Sequence, residues 1–161
     1  MSTRAAQDRA ARIEPITAED TRPLRHAILR TGRPLAETVF EGDHWPGTRH
    51  YGAFIDGRLI AVATLIPEAT PAFSSAGAWR IRGMAVDESF RGRGLGAALV
   101  RACLDHAKSQ RGRLCWCNAR VGARDFYLRC AFALQGEEFD VPGLGPHNLM
   151  FIKLEPDKTS D

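Results

Sequence analysis

The sequence predicts an α/β fold of the mixed (α+β) kind, with a single, mostly antiparallel sheet of about six to seven strands and helices on both faces. Strand-like and helix-like segments alternate along the chain of 161 residues. Asp56-Gly57, a two-residue turn of the kind that favours hairpins, joins two apolar runs. The second run, Arg58 to Ile66, is apolar on both faces, so we expect it to lie inside a covered sheet. Helices layered over one sheet satisfy these observations together.

The composition is that of an ordinary globular protein. Hydrophobic residues make up 44% and charged residues 25% of the chain, and the formal net charge of +3 is too small to indicate a nucleic-acid partner. No apolar run approaches the roughly 18 residues of a membrane span, and Met1 to Arg12 lacks the apolar stretch of a secretory signal. We therefore expect one cytoplasmic domain over residues 12–155, a disordered tail over 1–11, a polar tail over 156–161, and neither nucleic acid nor membrane as a partner.

The four cysteines show no metal-binding pattern. None of them has the Cys-x-x-Cys spacing of structural zinc sites, so we expect no metal. We expect reduced thiols buried as small apolar groups instead. The residues are Cys103, Cys115, Cys117 and Cys130.

The elements of the first half begin with a short strand, Arg12 to Ile16. Asp20 or Thr21 can cap the helix that follows, and Gly32 and Pro34 are placed to end it. The stretch from Ala36 to Arg49 has no clear periodicity. The hairpin strands come next, at Tyr51 to Ile55 and Arg58 to Ile66.

The second half continues with a strand, a glycine-rich loop and a long amphipathic helix. Leu95, Ala98, Leu99, Ala102 and Cys103 recur at helical spacing and predict that helix's buried face. The remaining elements are strands at Trp79 to Val86, Arg113 to Asn118, Glu138 to Val141 and Asn148 to Leu154, and a helix that carries Ala123, Phe126 and Tyr127 on one face.

The glycine-rich loop predicts an anion site. The first turn of a helix has backbone N–H groups without partners inside the helix, and the helix dipole is positive there. Glycines let a phosphate approach the backbone, and two arginines add charge. A solvent-exposed turn that uses its glycines only for conformation is the simpler alternative. The segment comprises Arg91, Gly92, Arg93, Gly94, Leu95, Gly96 and Ala97.

The pattern around this loop argues against two common phosphate ligands. A dinucleotide loop follows the first strand of its unit and has an acidic residue about 20 residues later, whereas this loop lies in mid-chain after a hairpin. A nucleoside-triphosphate loop requires Gly-Lys-Ser/Thr, and the chain has no such sequence here.

The sequence resembles the GNAT superfamily of acyl-CoA N-acyltransferases. The cofactor motif of that family reads Gln/Arg-x-x-Gly-x-Gly/Ala, and a second, looser stretch also agrees. Ala131 departs from the family, which usually has glycine there, and suggests a slightly different exit from the helix. The matching residues are Arg91, Gly94 and Gly96, and then Asn118-Ala119-Arg120, Ala123, Phe126-Tyr127, Phe132, Gly136 and Phe139.

The resemblance implies the GNAT fold, splayed at strands 4 and 5, with acetyl-coenzyme A as co-substrate. Backbone groups of Met84, Ala85 and Val86 would pair with the pantetheine amides, and the N–H groups of residues 91–97 would hold the pyrophosphate. Asn118 would hydrogen-bond the pantetheine arm. No metal is implied.

The resemblance also implies direct attack of a primary amine on the thioester. The Val86 N–H would stabilise the charge on the carbonyl oxygen, and Tyr127, as a phenol protonated at neutral pH, would donate to the leaving thiolate. Tyr127 lies on the same apolar stripe as Phe126, so a core role is the alternative. Glu68 and His147 are the favoured candidates for the base, and Asp43, His44, His50 and Glu138 remain open.

Other functions remain to be weighed against an N-acetyltransferase. A non-catalytic module of the same fold could bind or sense acyl-CoA, and weaker alternatives are an oxidoreductase and a basic nucleic-acid binder. Arg80 and Arg82 share one strand face and could pair with a carboxylate or bind an acidic acceptor. The acceptor, a small-molecule or protein amine, does not follow from the sequence, and a homodimer is the common outcome for small enzymes.

Overall fold

The computed structural model describes residues 10–73 and 76–155, which form a seven-stranded mixed sheet of order β1-β2-β3-β4-β5-β7-β6. The predicted fold class is confirmed, and the expected tails lie almost entirely outside the described residues. The strands are β1 (Arg12–Ile16), β2 (Arg49–Ile55), β3 (Arg58–Ile66), β4 (Ala78–Val86), β5 (Leu114–Arg120), β6 (Ala133–Val141) and β7 (Gly145–Lys153), and the helices are α1 (Ala18–Leu24), α2 (Leu95–Ser109) and α3 (Arg124–Arg129).

The described residues group into two compact units. The first contains the chain up to Ile66 together with Gly83–Cys103, and the second contains Pro67–Arg82 and the chain from Leu104 onward. Among the described residues, no helix has the length and hydropathy needed to span a membrane.

The first unit is built on the predicted hairpin. Asp56 and Gly57 both have positive φ, 51° and 76°, as a primed two-residue turn requires. Strand β3 is buried at every position from Ile60 to Ile66, which confirms that both of its faces are covered. Strands β1, β2 and β3 pair antiparallel in that order.

Helix α1 begins earlier than the sequence reading predicted. Thr17 is the N-cap: its hydroxyl accepts from the Asp20 N–H, and the Asp20 carboxylate accepts from the Thr17 N–H, both at 3.1 Å. Asp20 is therefore the third helical residue and closes a capping box, which makes the predicted cap at Asp20 or Thr21 wrong. A short π-helical segment, Arg25–Leu29, continues the helix.

The second unit contains the parallel pair of strands. Strands β4 and β5 pair at three positions, from Ala78 with Leu114 to Arg80 with Trp116. Pairing then stops, although β4 continues to Val86 and β5 to Arg120, in agreement with the predicted splay. Strand β7 pairs antiparallel with both β5 and β6.

The end of helix α3 corrects one expectation. Ala131 has φ of 71°, the left-handed conformation that glycine usually provides. The Ala131 and Phe132 N–H groups donate to the carbonyls of Leu128 and Tyr127, both at 3.0 Å. The expected different exit is therefore wrong: the chain makes a left-handed exit with alanine, at a conformational cost of about 1 kcal/mol.

Candidate active site

The segment that leads into the glycine loop is anchored within the first unit. Asp87 donates its N–H to the Ile60 carbonyl at 2.8 Å, accepts from the Ser89 N–H at 3.0 Å, and pairs with Arg58 at 3.0 Å. Phe90 is buried, and the Arg58 guanidinium lies 5.7 Å from its ring centroid. These contacts fix the start of the loop and leave residues 91–94 exposed.

The glycine loop ends directly at the first turn of α2. Gly92 and Gly94 have φ of 77° and 79°, so both need glycine for conformation. A Cβ on either would meet no described atom within 4 Å, so packing within the protein does not require these glycines. The Gly94 carbonyl accepts the first helical hydrogen bond, from Ala98 at 3.0 Å.

This arrangement makes the loop an anion-binding helix entrance. Gly94 occupies the N-cap position, and the N–H groups of Leu95, Gly96 and Ala97 therefore have no acceptor inside the helix. The open space beside Gly92 and Gly94 lets an anion reach the backbone, and the positive end of the helix dipole attracts it. The residues present fit a pyrophosphate.

Strand β4 contains a kink that the sequence analysis missed. Gly83 has φ of 66°, and a Cβ there would lie 3.1 Å from Arg25 Nε and 3.2 Å from the Phe40 ring. Both conformation and close packing therefore require glycine at this position. The kink immediately precedes Met84, Ala85 and Val86, of which Ala85 is buried.

The kink packs against a fully buried arginine. Arg25 donates to both carboxylate oxygens of Asp43, at 2.7 and 2.9 Å, to the Thr38 carbonyl at 2.9 Å and to Thr64 Oγ1 at 2.8 Å. Its guanidinium also lies 4.1 Å from the centroid of the Phe40 ring. Five donated or stacked contacts thus converge on one side chain with no exposed surface.

Asp43 and His50, two open candidates for the base, belong to this network. Burial acts to raise the pKa of Asp43, but the hydrogen bonds from Arg25 and from the Phe40 N–H lower that pKa overall. Burial lowers the pKa of His50. His50 Nε2 lies 2.9 Å from the Asp43 carbonyl and Nδ1 lies 2.7 Å from Thr64 Oγ1. A carbonyl only accepts, so Nε2 carries the proton and the ring is neutral. Both side chains have structural partners.

Asn118 and Tyr127 belong to the second unit. Asn118, in the unpaired part of β5, is exposed. Tyr127 is 5% exposed, and its ring makes edge contacts with Phe126 and Phe132 at centroid distances of 5.0 and 5.3 Å. These ring contacts agree with a core position and leave the catalytic role of Tyr127 a prediction.

Glu68 takes part in a fixed cluster at the end of β3. Its carboxylate pairs with Arg80 at 3.1 Å, and its carbonyl accepts from Trp116 Nε1 at 2.8 Å. The Arg80 guanidinium lies 4.8 Å from the Trp116 ring centroid. Of the two roles open to Arg80, pairing with a carboxylate is the one that the structure shows.

His147 is the second favoured candidate for the base. It is 6% exposed, its Nδ1 lies 2.8 Å from the Gly145 carbonyl, and its ring stacks on Phe139 at 6.1 Å. Because that carbonyl only accepts, Nδ1 carries the proton and a neutral ring keeps a lone pair on Nε2. The other open candidates, His44 and Glu138, lie on the surface.

The cysteines follow the expectation from the sequence. None forms a disulfide, and Cys103, Cys115 and Cys117 are buried. Burial raises the pKa of Cys103 and Cys117 to about 12, so both stay protonated and unreactive. Within the described residues, no group of three His, Cys, Asp or Glu side chains could hold a metal ion.

Comparison with known proteins identifies the family. The model of the acetyltransferase (GNAT) family matches residues 16–132. An uncharacterized N-acetyltransferase, YitI of Bacillus subtilis (strain 168), is 36% identical over 143 residues, which cover 88% of this chain and 95% of the relative.

Solved structures agree on the fold. Ard1 from Thermoplasma volcanium aligns with a TM-score of 0.72 at 19% identity, over 91% of this chain and 99% of that one. An aminoglycoside 6'-N-acetyltransferase complexed with coenzyme A aligns with a TM-score of 0.71 at 15% identity, over 91% and 98%. The chain therefore belongs to the GNAT family of acetyltransferases and is an acetyl-CoA-dependent N-acyltransferase.

Proposed function

We propose that the chain acetylates a primary amine by direct attack, and that the helix entrance at residues 91–97 holds the donor's pyrophosphate. The observation that carries this proposal is the open backbone at Gly92 and Gly94, followed by three first-turn N–H groups of α2. Arg91 and Arg93 add positive charge beside those groups. Acetyl-coenzyme A supplies an activated acetyl group, and the protein's task is to hold and orient it.

Backbone groups of Met84, Ala85 and Val86 would pair with the pantetheine arm. The kink at Gly83 supports this role, because a left-handed residue interrupts regular pairing in mid-strand. In the second unit, the exposed amide of Asn118 is available for the same arm. These assignments rest on the family resemblance together with the positions of the residues on β4 and β5.

Two donors would act on the reacting thioester. The Val86 N–H would stabilise the negative charge on the carbonyl oxygen, and the Tyr127 hydroxyl would donate to the leaving sulfur. An oxyanion donor of this kind contributes about 3 to 4 kcal/mol to catalysis. The edge contacts with Phe126 and Phe132 hold the Tyr127 ring in one orientation, which a donor needs.

We infer that His147, rather than Glu68, accepts the proton of the attacking amine. The Glu68 carboxylate is paired with Arg80, and protonating it would weaken that pair. His147 already has its tautomer set by the Gly145 carbonyl and keeps Nε2 available as an acceptor.

Calorimetric titration with coenzyme A tests the proposed donor site. We would compare the wild type with Gly94→Val and with the matched control Gly57→Val. Gly57 has nearly the same φ, 76° against 79°, and equally open surroundings, but lies in the hairpin turn. Both substitutions carry the same conformational strain, and only Gly94→Val should abolish binding.

Equal affinity in the wild type and Gly94→Val would refute the proposed phosphate site, as would equal losses in both variants. A thiol-release assay with acetyl-coenzyme A over a panel of amines then separates an enzyme from a sensor. An enzyme releases thiol in proportion to the amine consumed, whereas a sensor binds coenzyme A and releases none.

A further inference from the structure

A cleft of about 550 Å³ opens on one face of the second unit. Its floor is formed by side chains that the strand register places on the same face: Asn118 and Gln135 both lie opposite Leu149. Trp116, two residues before Asn118, extends the floor along β5. Three neighbouring strands, β5, β7 and β6, thus contribute to a single surface.

One wall of the cleft is held in place. It is formed by residues 68–72, which follow β3. Glu68 ties this segment to the floor twice, through its carboxylate to Arg80 and through its carbonyl to the indole N–H of Trp116. The wall therefore exists before any ligand binds.

The opposite side of the cleft is shaped by a bulge in β6. Gln135 lies opposite Leu149 and Phe139 lies opposite His147, so β6 contains two more residues than β7 between these pairs. Gly136, with φ of 74°, allows the bulge. The irregular segment brings Glu137 and Phe139 to the edge of the cleft.

The cleft has an excess of negative charge and an apolar lining. The charge of Glu68 is balanced by Arg80. In the described part of the chain, Glu137 makes no ion pair and accepts no side-chain hydrogen bond. Phe139 is 37% exposed, and Leu149 and Pro71 add apolar surface. One unbalanced carboxylate beside apolar surface is notable in a chain whose net charge is +3.

We propose that this cleft binds the acceptor, and that the acceptor is a small aliphatic amine with a second positive charge, which Glu137 binds. This inference rests on the proposed function and adds the substrate class. Asn118 belongs both to the cleft and to the expected path of the pantetheine arm, so an amine extended along the floor points toward the thioester. The volume suits a small molecule.

The test uses two amines with the same stem, 1,5-diaminopentane and 1-aminopentane, with acetyl-coenzyme A at saturation. We expect the diamine to have a KM about fivefold lower at low ionic strength, the size of one partly exposed ion pair, with the advantage lost in about 0.5 M salt. Glu137→Gln should raise the KM of the diamine by the same factor and leave the KM values of 1-aminopentane and acetyl-coenzyme A unchanged.

Asp140→Asn is the matched control. Asp140 is an exposed carboxylate on the same strand, outside the cleft, and its substitution should change none of these constants. Equal KM values for the two amines, or equal effects of Glu137→Gln and Asp140→Asn, would overturn the inference. In either case, retained coenzyme A binding and thiol release would leave the proposed function intact. Loss of both in the wild type would refute the proposed function itself.

Discussion

Replacing Arg25 with methionine should remove several kilocalories per mole from the stability of the first unit. Methionine keeps a long unbranched stem but donates no hydrogen bonds, so the change removes the charge with little change in packing. Asp43, whose side chain is 2% exposed, would then be a buried carboxylate without its cation. Thr64 Oγ1 and the Thr38 carbonyl would each lose a donor.

The structure supports a loss of about 3 to 5 kcal/mol, the range found when one partner of a buried ion pair is removed. Asp43 keeps only the Phe40 N–H, at 3.0 Å, among its donors to the carboxylate. Without Arg25, the pKa of Asp43 rises, because burial is the largest influence on that group and disfavours the charged form. The variant can therefore recover part of the loss in acid by protonating Asp43, and its deficit should be larger at pH 8 than at pH 5.

Urea unfolding of the wild type and the variant at both pH values measures the effect, with the slope of the transition checked for constancy. Arg33→Met is the control, since it breaks the exposed pair with Glu37, whose partners are 43% and 38% exposed. That control should leave the midpoint unchanged. The double variant Arg25→Met/Asp43→Leu should regain most of the loss.

A loss below about 1 kcal/mol for Arg25→Met at pH 8, with unchanged slope, would refute the reasoning. The buried pair would then be replaceable by packing alone, as happens in some proteins when both partners are exchanged. A loss of equal size at both pH values would show that Asp43 does not take up the proton.

Substitutions at three other positions test separate assignments. Tyr127→Phe should lower kcat about 100-fold with KM values nearly unchanged, because the proposed donor acts on the leaving sulfur; unchanged turnover would exclude the role. The pKa of His50 is lowered by burial, so the unfolded chain binds more protons below its ordinary value of 6.5, and stability should fall as pH drops from about 7 to 5. His50→Gln should flatten that profile, measured as Tm against pH. Ala131→Gly should stabilise the protein by about 0.5 to 1 kcal/mol in urea unfolding, since φ is 71° there, and a loss would contradict the strain argument.

Features with a local cause were predictable from the sequence. The Asp56-Gly57 turn and the glycine loop each depend on the conformation of a few adjacent residues. Thr17 and Asp20 also carry a local signal, a capping box, which was assigned about one turn too late. Helix and strand order followed from periodicity alone.

Features that depend on distant partners were not predictable. Arg25 lies in a helix with polar neighbours and is typical of a solvated face, yet its partners Thr38, Asp43 and Thr64 are 13, 18 and 39 residues away. The need for glycine at position 83 comes from the same arginine. Only the folded arrangement reveals why these residues are needed.

The same distinction separates donor binding from acceptor choice. The family match ends at Phe132, so it includes the glycine loop, β4 and Tyr127 but none of β6. Glu137 and Phe139, on which the proposed acceptor preference depends, lie beyond it, in a bulge whose register is set by β7. Acetyl transfer to different amines requires a constant donor site and a variable acceptor site. A strand at the edge of the sheet can change its register and charge without disturbing the buried strands, and β6 is that edge strand.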